Sequence, residues 1–212
     1  MRDGKAGCTK GVLPRRIAMA GRGQELQGIA LLEDNELLIG QLYRQFAARL
    51  PRQVRLWASL AADEMRHAWL LKSVRTRVSS ALARRDDSAR FDLDSLATFR
   101  DFMKGLLYGT LEKDVSAEGA LRTALYIQWS LQEQEVFHHE DRDPGELRSV
   151  LETLAAGNYS HTERLLRALK RAESQRSLTR GAWTAGVGDR AAQIASLPVV
   201  EETFNHLGYF SA

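Results

Sequence analysis

Glu36-Leu-Leu-Ile-Gly-Gln-Leu-Tyr43 and Asp63-Glu64-Met65-Arg66-His67-Ala68 are the two stretches on which the reading of this 212-residue chain turns. Each sits inside a long run of helical spacing and places an acid on the apolar side. Around the first, the three-four positions are Ile29, Leu32, Glu36, Ile39, Tyr43, Phe46 and Leu50, apolar or aromatic at every step but Glu36. Around the second they are Val54, Trp57, Ala61, Glu64, His67, Ala68 and Leu71. Residues three apart share a helical face, so Glu64 and His67 turn inward together.

Two more seams follow downstream. One reads Leu121, Leu125, Gln128, Leu131 and Glu135; the other reads Leu147, Leu151, Leu154, Asn158, His161 and Leu165. Every seam is interrupted by polar residues near mid-length. The spacing predicts an all-α fold of four long helices, about 24–50, 52–80, 116–140 and 144–173, with Pro51 and Pro144 marking boundaries. Two connections are short. The third, about 35 residues from Ala81 to Val115, contains an apolar stretch from Phe91 to Leu107 that reads as a short helix. A connection of that length between helices 2 and 3 suits a crossover along a four-helix bundle.

Residues 1–23 hold six of the 30 Lys and Arg against Asp3 alone, and are broken by five glycines. They read as a flexible basic leader or an over-extended start with Met19 as initiator, since the apolar core of a secretory signal is missing. The remainder carries 24 basic against 26 acidic residues, which gives no electrostatic reason to expect nucleic acid. No apolar run reaches the length of a membrane span. Residues 174–212, with Gly181, Gly186, Gly188 and Pro198 before the aromatic Phe204 to Phe210, read as a tail that wraps the bundle or meets a partner. Cys8 is the single cysteine, which excludes an internal disulfide framework and any Cys-x-x-Cys metal ribbon, and makes the cytoplasm the expected compartment. Phosphate-binding glycine loops, nucleophile elbows and kinase signatures are all lacking. Trp57, Trp69, Trp129 and Trp183 read as core or tail-docking residues, and His138 and His139 as surface dressing at a helix end.

Burying an ionised carboxylate costs several kcal/mol, and none of the four seams supplies an Arg or Lys to offset it. A divalent cation would neutralise Glu36 and Glu64 together. Neutral His67 and His161 add imidazole nitrogens suited to iron, manganese or zinc.

The same residues carry a family resemblance. Glu36 with Tyr43, followed by Glu64-x-x-His67, resembles the first half of a rubrerythrin-like member of the ferritin-like superfamily, over roughly residues 24–173. In that fold two helices each give one Glu and the other two each give Glu-x-x-His around a carboxylate-bridged di-iron centre. The resemblance implies that Glu36, Glu64 and His67 are metal ligands and that Tyr43 lies beside the centre, hydrogen-bonded to a ligand carboxylate or donating an electron. It also implies oxygen or peroxide chemistry at iron, an external electron donor in place of a fused rubredoxin-like module, and homodimerisation along a helix face.

The second half departs from the pattern. Glu36 and Glu64 are 28 residues apart, Gln128 and Asn158 are 30 apart, and His161 follows Asn158 at the matching interval. Two amides thus stand where the family has two carboxylates. Two negative charges balance one divalent ion, so the expected site is a single iron held by Glu36, Glu64, His67 and His161, with Gln128 and Asn158 as weak or outer ligands. The rival expectation is a metal-free, degenerate ferritin-like bundle serving as a structural or partner-binding module, its amides bonded to each other and to the histidines. Glu133 and Glu135 are candidates for an outer shell.

Overall fold

A computed structural model describes residues 14–82, 91–112, 114–133, 136–139, 141 and 143–181. Among them are five α-helices and no strand: α1 (Pro14–Arg49), α2 (Val54–Leu82), α3 (Leu93–Glu112), α4 (Ala117–Glu133) and α5 (Gly145–Gly181). None of these helices is long and apolar enough to cross a membrane. The basic start (residues 1–13), Trp183, His206, Glu135 and the tail beyond Gly181 lie outside the described residues.

Local chemistry explains most boundaries. Pro14 opens α1, where its missing N–H costs nothing, so the helix begins inside the segment read as a leader. At Pro51 a single 3-10 turn, Pro51–Gln53, reverses the chain into α2, with the Gln53 N–H donating to the Leu50 carbonyl at 2.9 Å. Asp92 caps α3 by accepting the N–H groups of Asp94 and Ser95, both at 3.1 Å, and the Ser116 hydroxyl caps α4 through the Gly119 N–H at 3.0 Å. α4 stops at Glu133, short of the expected Glu140, and α5 continues past Glu173 to Gly181.

The connection from α2 to α4 holds the largest departure from expectation. Its helix is not short: α3 spans 20 residues and buries Leu96, Phe99, Met103 and Leu106 in the common core. Asn35 donates to the Leu96 carbonyl at 3.3 Å, and Arg49 to the Leu111 carbonyl at 2.7 Å, so α3 runs parallel to α1 along its second half. Gly28 makes the start of this packing possible. A Cβ there would sit 2.3 Å from the Phe91 ring, so only glycine lets Phe91 lie on α1.

Ion pairs fix the remaining directions. Arg77 meets Glu146 at 2.6 Å and Arg164 meets Asp63 at 2.8 Å, which sets α5 antiparallel to α2; Arg122 meets Glu173 at 3.3 Å, which sets α4 antiparallel to α5. Two antiparallel hairpins, α1–α2 and α4–α5, therefore face each other, with α2 against α5 and α3 returning the chain between them. All four seams converge on one apolar core. Val54 is an exception, 44% exposed at the end of α2. Trp57 is fully buried, but Trp69 and Trp129 are 63% and 44% exposed and are not core residues. Trp69 lies two residues past His67, about 200° around the helix, which turns it away from the seam.

Candidate metal centre

The mid-length interruptions of the four seams meet at one level. α1 contributes Glu36 and Tyr43, α2 Glu64 and His67, α4 Gln128, and α5 Asn158 and His161, and each is at most 3% exposed. Glu64 is the hub. Its Oε2 is 3.0 Å from His67 Nδ1, and its Oε1 is 3.1 Å from His161 Nδ1 and accepts the Gln128 Nε2–H at 3.0 Å. His67 Nδ1 also lies 3.4 Å from Glu36 Oε2. Glu36, Glu64 and His67 offer ligand atoms that all fall within 4.8 Å of one another. His161 reaches Glu64 from the other side, its ring stacked on that of His67 with centroids 5.5 Å apart.

The amides close the opposite side. Asn158 Nδ2 donates to Gln128 Oε1 at 2.7 Å and to the Gln128 carbonyl at 3.2 Å. Gln128 Nε2 also donates to the Tyr43 hydroxyl at 3.1 Å. Tyr43 thus lies in the cluster, and its hydroxyl accepts from Gln128, which in turn donates to Glu64. This alters the expected amide network, whose bonds run to Glu64 and Tyr43 rather than to the histidines.

No family model, curated protein or solved structure matches this chain.

Burial and the neighbouring Glu64 carboxylate push the Glu36 carboxyl up to about 8. Burial works against a charged His67, but its contacts with Glu36 and Glu64 outweigh that and carry the imidazole up to about 10. Burial likewise opposes ionisation of Glu64, yet His161 and His67 hold it well below the ordinary carboxylate range. The Tyr43 phenol is pushed well above its usual value, first by burial and then by Glu64. At neutral pH without metal the first half is thus a protonated Glu36, an imidazolium at His67 and a carboxylate at Glu64, with no net charge.

The donor set fits a cation. Three buried atoms of the cluster are of ligand type and poorly satisfied: Glu36 Oε2 and His161 Nδ1 have only the contacts at 3.4 and 3.1 Å to His67 and Glu64, and Asn158 Oδ1 has no hydrogen bond. Leaving a buried polar atom such as Asn158 Oδ1 without a partner costs about 1–3 kcal/mol, a cost that coordination would remove. A divalent ion would displace the protons of Glu36 and His67, leaving the net charge of the cluster unchanged. The second helix pair shapes the pocket for His67: a Cβ on Gly157 would lie 2.5 Å from both Cε1 and Nε2 of its ring. That backbone fixes Nδ1 toward the carboxylates.

Sequence reasoning passed over the residues behind the cluster. Asp63 Oδ2 is 3.5 Å from His161 Nε2 and is itself held by Arg164 at 2.8 Å, so a carboxylate orients the second imidazole from outside. Thr162 donates to the Asn158 carbonyl at 3.1 Å and accepts from Gln132 at 3.1 Å, bracing the amide side. Asp63 is adjacent to Glu64 in sequence, but its role depends on α5 being laid against α2. His139 lies half-exposed 3.4 Å from Glu152, as a surface residue would.

Proposed function

We propose that this protein is a rubrerythrin-like, ferritin-fold metal protein that binds one iron ion in a redox role toward oxygen or peroxide. The observation that carries the reading is the convergence of buried Glu36, Glu64 and His67, whose ligand atoms all lie within 4.8 Å of one another. An all-helical chain with antiparallel pairs α1–α2 and α4–α5 is compatible with that reading. Glu36, Glu64, His67 and His161 would hold the ion, and Gln128 and Asn158 would stand around it. Bound iron supplies a ferrous–ferric couple to oxygen chemistry. Manganese or zinc would suit the same atoms, zinc without redox.

The protein's own contribution is placement. Gly157 and Asp63 set the two rings, the apolar seams exclude water, and Tyr43 offers a neutral phenol one hydrogen bond from Gln128. Reduction would come from an external donor. Anaerobic loading with ferrous iron followed by peroxide, read by absorbance in a stopped-flow mixer, tests the reading. Oxidation of one iron per chain in the parent protein and none in Glu64→Ala supports it; parent protein that leaves ferrous iron oxidising at the buffer rate overturns it.

One observation favours the rival, a metal-free bundle acting as a structural or partner-binding module. Gln128 and Asn158 are bonded to each other, Gln128 also to Glu64, and protons on Glu36 and His67 already neutralise the cluster. That reading expects Glu64→Ala to change stability while metal content stays negligible in both proteins.

A further inference from the structure

At the α1–α2 turn, outside the buried cluster, the fold opens a cleft of roughly 1000 Å³ between the Pro51 turn and the second half of α5. Six arginines line it: Arg49, Arg52 and Arg55 around the turn, and Arg164, Arg167 and Arg171 from α5. No Asp, Glu or Lys is in the lining. This concentration is not a consequence of composition, since the chain beyond residue 23 has slightly more acids than bases. The α5 residues follow at intervals of three and four, which turns them to one face.

Some of these guanidinium groups are already engaged. Arg49 donates to the Leu111 carbonyl at 2.7 Å, Arg164 holds Asp63 at 2.8 Å and also meets Ser59, and Arg167 approaches Glu163 only to 3.8 Å. Arg52, Arg55 and Arg171 are exposed and make no ion pair with any other described residue. Three uncommitted like charges, from the 3-10 turn, α2 and α5, in one concavity repel each other until an anion arrives. Guanidinium forks match phosphate oxygens in pairs, and arginine is favoured over lysine where planar recognition matters. Val54, Leu56, Ala168 and Ala172 give the cleft an apolar floor.

We propose that this cleft binds a small, multiply charged anion of the oligophosphate class, with Arg52, Arg55 and Arg171 as its principal contacts. Its volume is at the upper end of ordinary ligand pockets, enough for a chain of phosphates with an organic group attached. The lining has no aromatic ring on which bases would stack, which favours a small molecule over a single-stranded nucleic acid. Arg164 joins this site to the cluster through Asp63 and His161, but binding does not depend on metal.

The test is calorimetric titration of the full chain with inorganic triphosphate and with ATP, in phosphate-free buffer at low ionic strength. Saturable one-to-one binding is expected. Arg52→Glu and Arg171→Glu should each weaken it by ~10-fold or more, the worth of a charge-assisted hydrogen bond. Lys72→Glu makes the same charge change 18 residues along α2 from Val54, about 27 Å away, and should weaken it less than ~2-fold. Equal affinity for the two probes would assign the site to the phosphates alone, and tighter binding of ATP would place its organic group on the apolar floor; both support the proposal. Circular dichroism of each variant checks that it is folded. No saturable binding by the parent protein, equal weakening by Lys72→Glu and Arg171→Glu, or a single-stranded oligonucleotide displacing triphosphate at far lower concentration would overturn it.

Discussion

The α1–α2 half of the buried centre and the α4–α5 half stand at matching depth and meet the same problem, polar groups sealed inside a helical core, with different chemistry. In the first, two carboxyl groups crowd one imidazole at 3.0 and 3.4 Å, and Glu36 keeps an oxygen without a hydrogen bond. In the second, Gln128 and Asn158 bond to each other at 2.7 Å, and most of their capacity is used within the protein. A carboxylate pair needs an external positive charge or protons; an amide pair needs neither. The contrast teaches that the groups able to hold a cation are concentrated on α1 and α2, while α4 and α5 supply closure and one imidazole.

The largest expected effect comes from removing the hub. Glu64→Ala should lower iron affinity by more than the roughly 10- to 100-fold that outer contacts are worth, measured by competition with a chelator, while Gln128→Ala should stay within that range. Equal losses from the two variants would erase the distinction between the halves. The reverse experiment restores charge. Gln128→Glu combined with Asn158→Glu gives the second half its two carboxylates, and elemental analysis should then find a second iron per chain.

A third variant tests how one half shapes the other. Gly157→Ala puts a methyl group 2.5 Å from the His67 ring, and is expected to cost about 1–3 kcal/mol in chemical denaturation and to weaken metal binding at the same time. A loss of stability with affinity unchanged would show that His67 is not a ligand. Asp63→Asn is milder. It removes the charge behind His161 while keeping the side chain's shape, and should weaken iron by about 10-fold or less with little change in the denaturation midpoint.

The smallest effect is on pH dependence, and its sign separates the metal-free from the loaded state. Glu36 is raised from 4.5 to about 8 and His67 from 6.5 to about 10, so the folded protein holds protons that the unfolded chain releases. Their contribution to stability is full below about 4.5 for Glu36 and 6.5 for His67, and is lost as pH rises through about 8 and 10. Glu64 acts in the opposite sense, its contribution present above 4.5 and lost in acid. Urea midpoints of the metal-free protein should therefore decline from pH 6 to pH 9, and iron affinity should rise over the same interval as binding expels those protons. A shallower decline in Glu36→Gln than in the parent would assign part of the slope to Glu36.

Much of this was legible from spacing alone. Glu36, Glu64, His67, Gln128, Asn158 and His161, the polar residues that broke a seam within the described residues, all lie in the buried cluster, because three-four periodicity fixes a helix face without knowledge of the neighbours. Spacing says less about what lies between seams. The crossover was underestimated because its apolar stretch follows the charged run at Arg84 to Asp87, and the cap that opens α3, Asp92, is a local signal easily passed over. Asp63 and Arg164 escaped notice because each is one step off a seam and gains its role only when α2 and α5 are side by side. The arginine cleft was hidden in the same way: Arg164, Arg167 and Arg171 were visible as a stripe on one helix, but their convergence with Arg52 and Arg55 comes from tertiary packing. A net charge near zero over the body concealed it further.

The measurement closest to the central claim is the number of iron equivalents retained per chain after anaerobic reconstitution with ferrous iron and removal of the excess, using protein purified without chelator or affinity metal. One equivalent, lost in Glu64→Ala, is the result expected of a single-ion centre built on α1 and α2. Negligible iron in the parent protein, or iron that persists undiminished in Glu64→Ala, would contradict it.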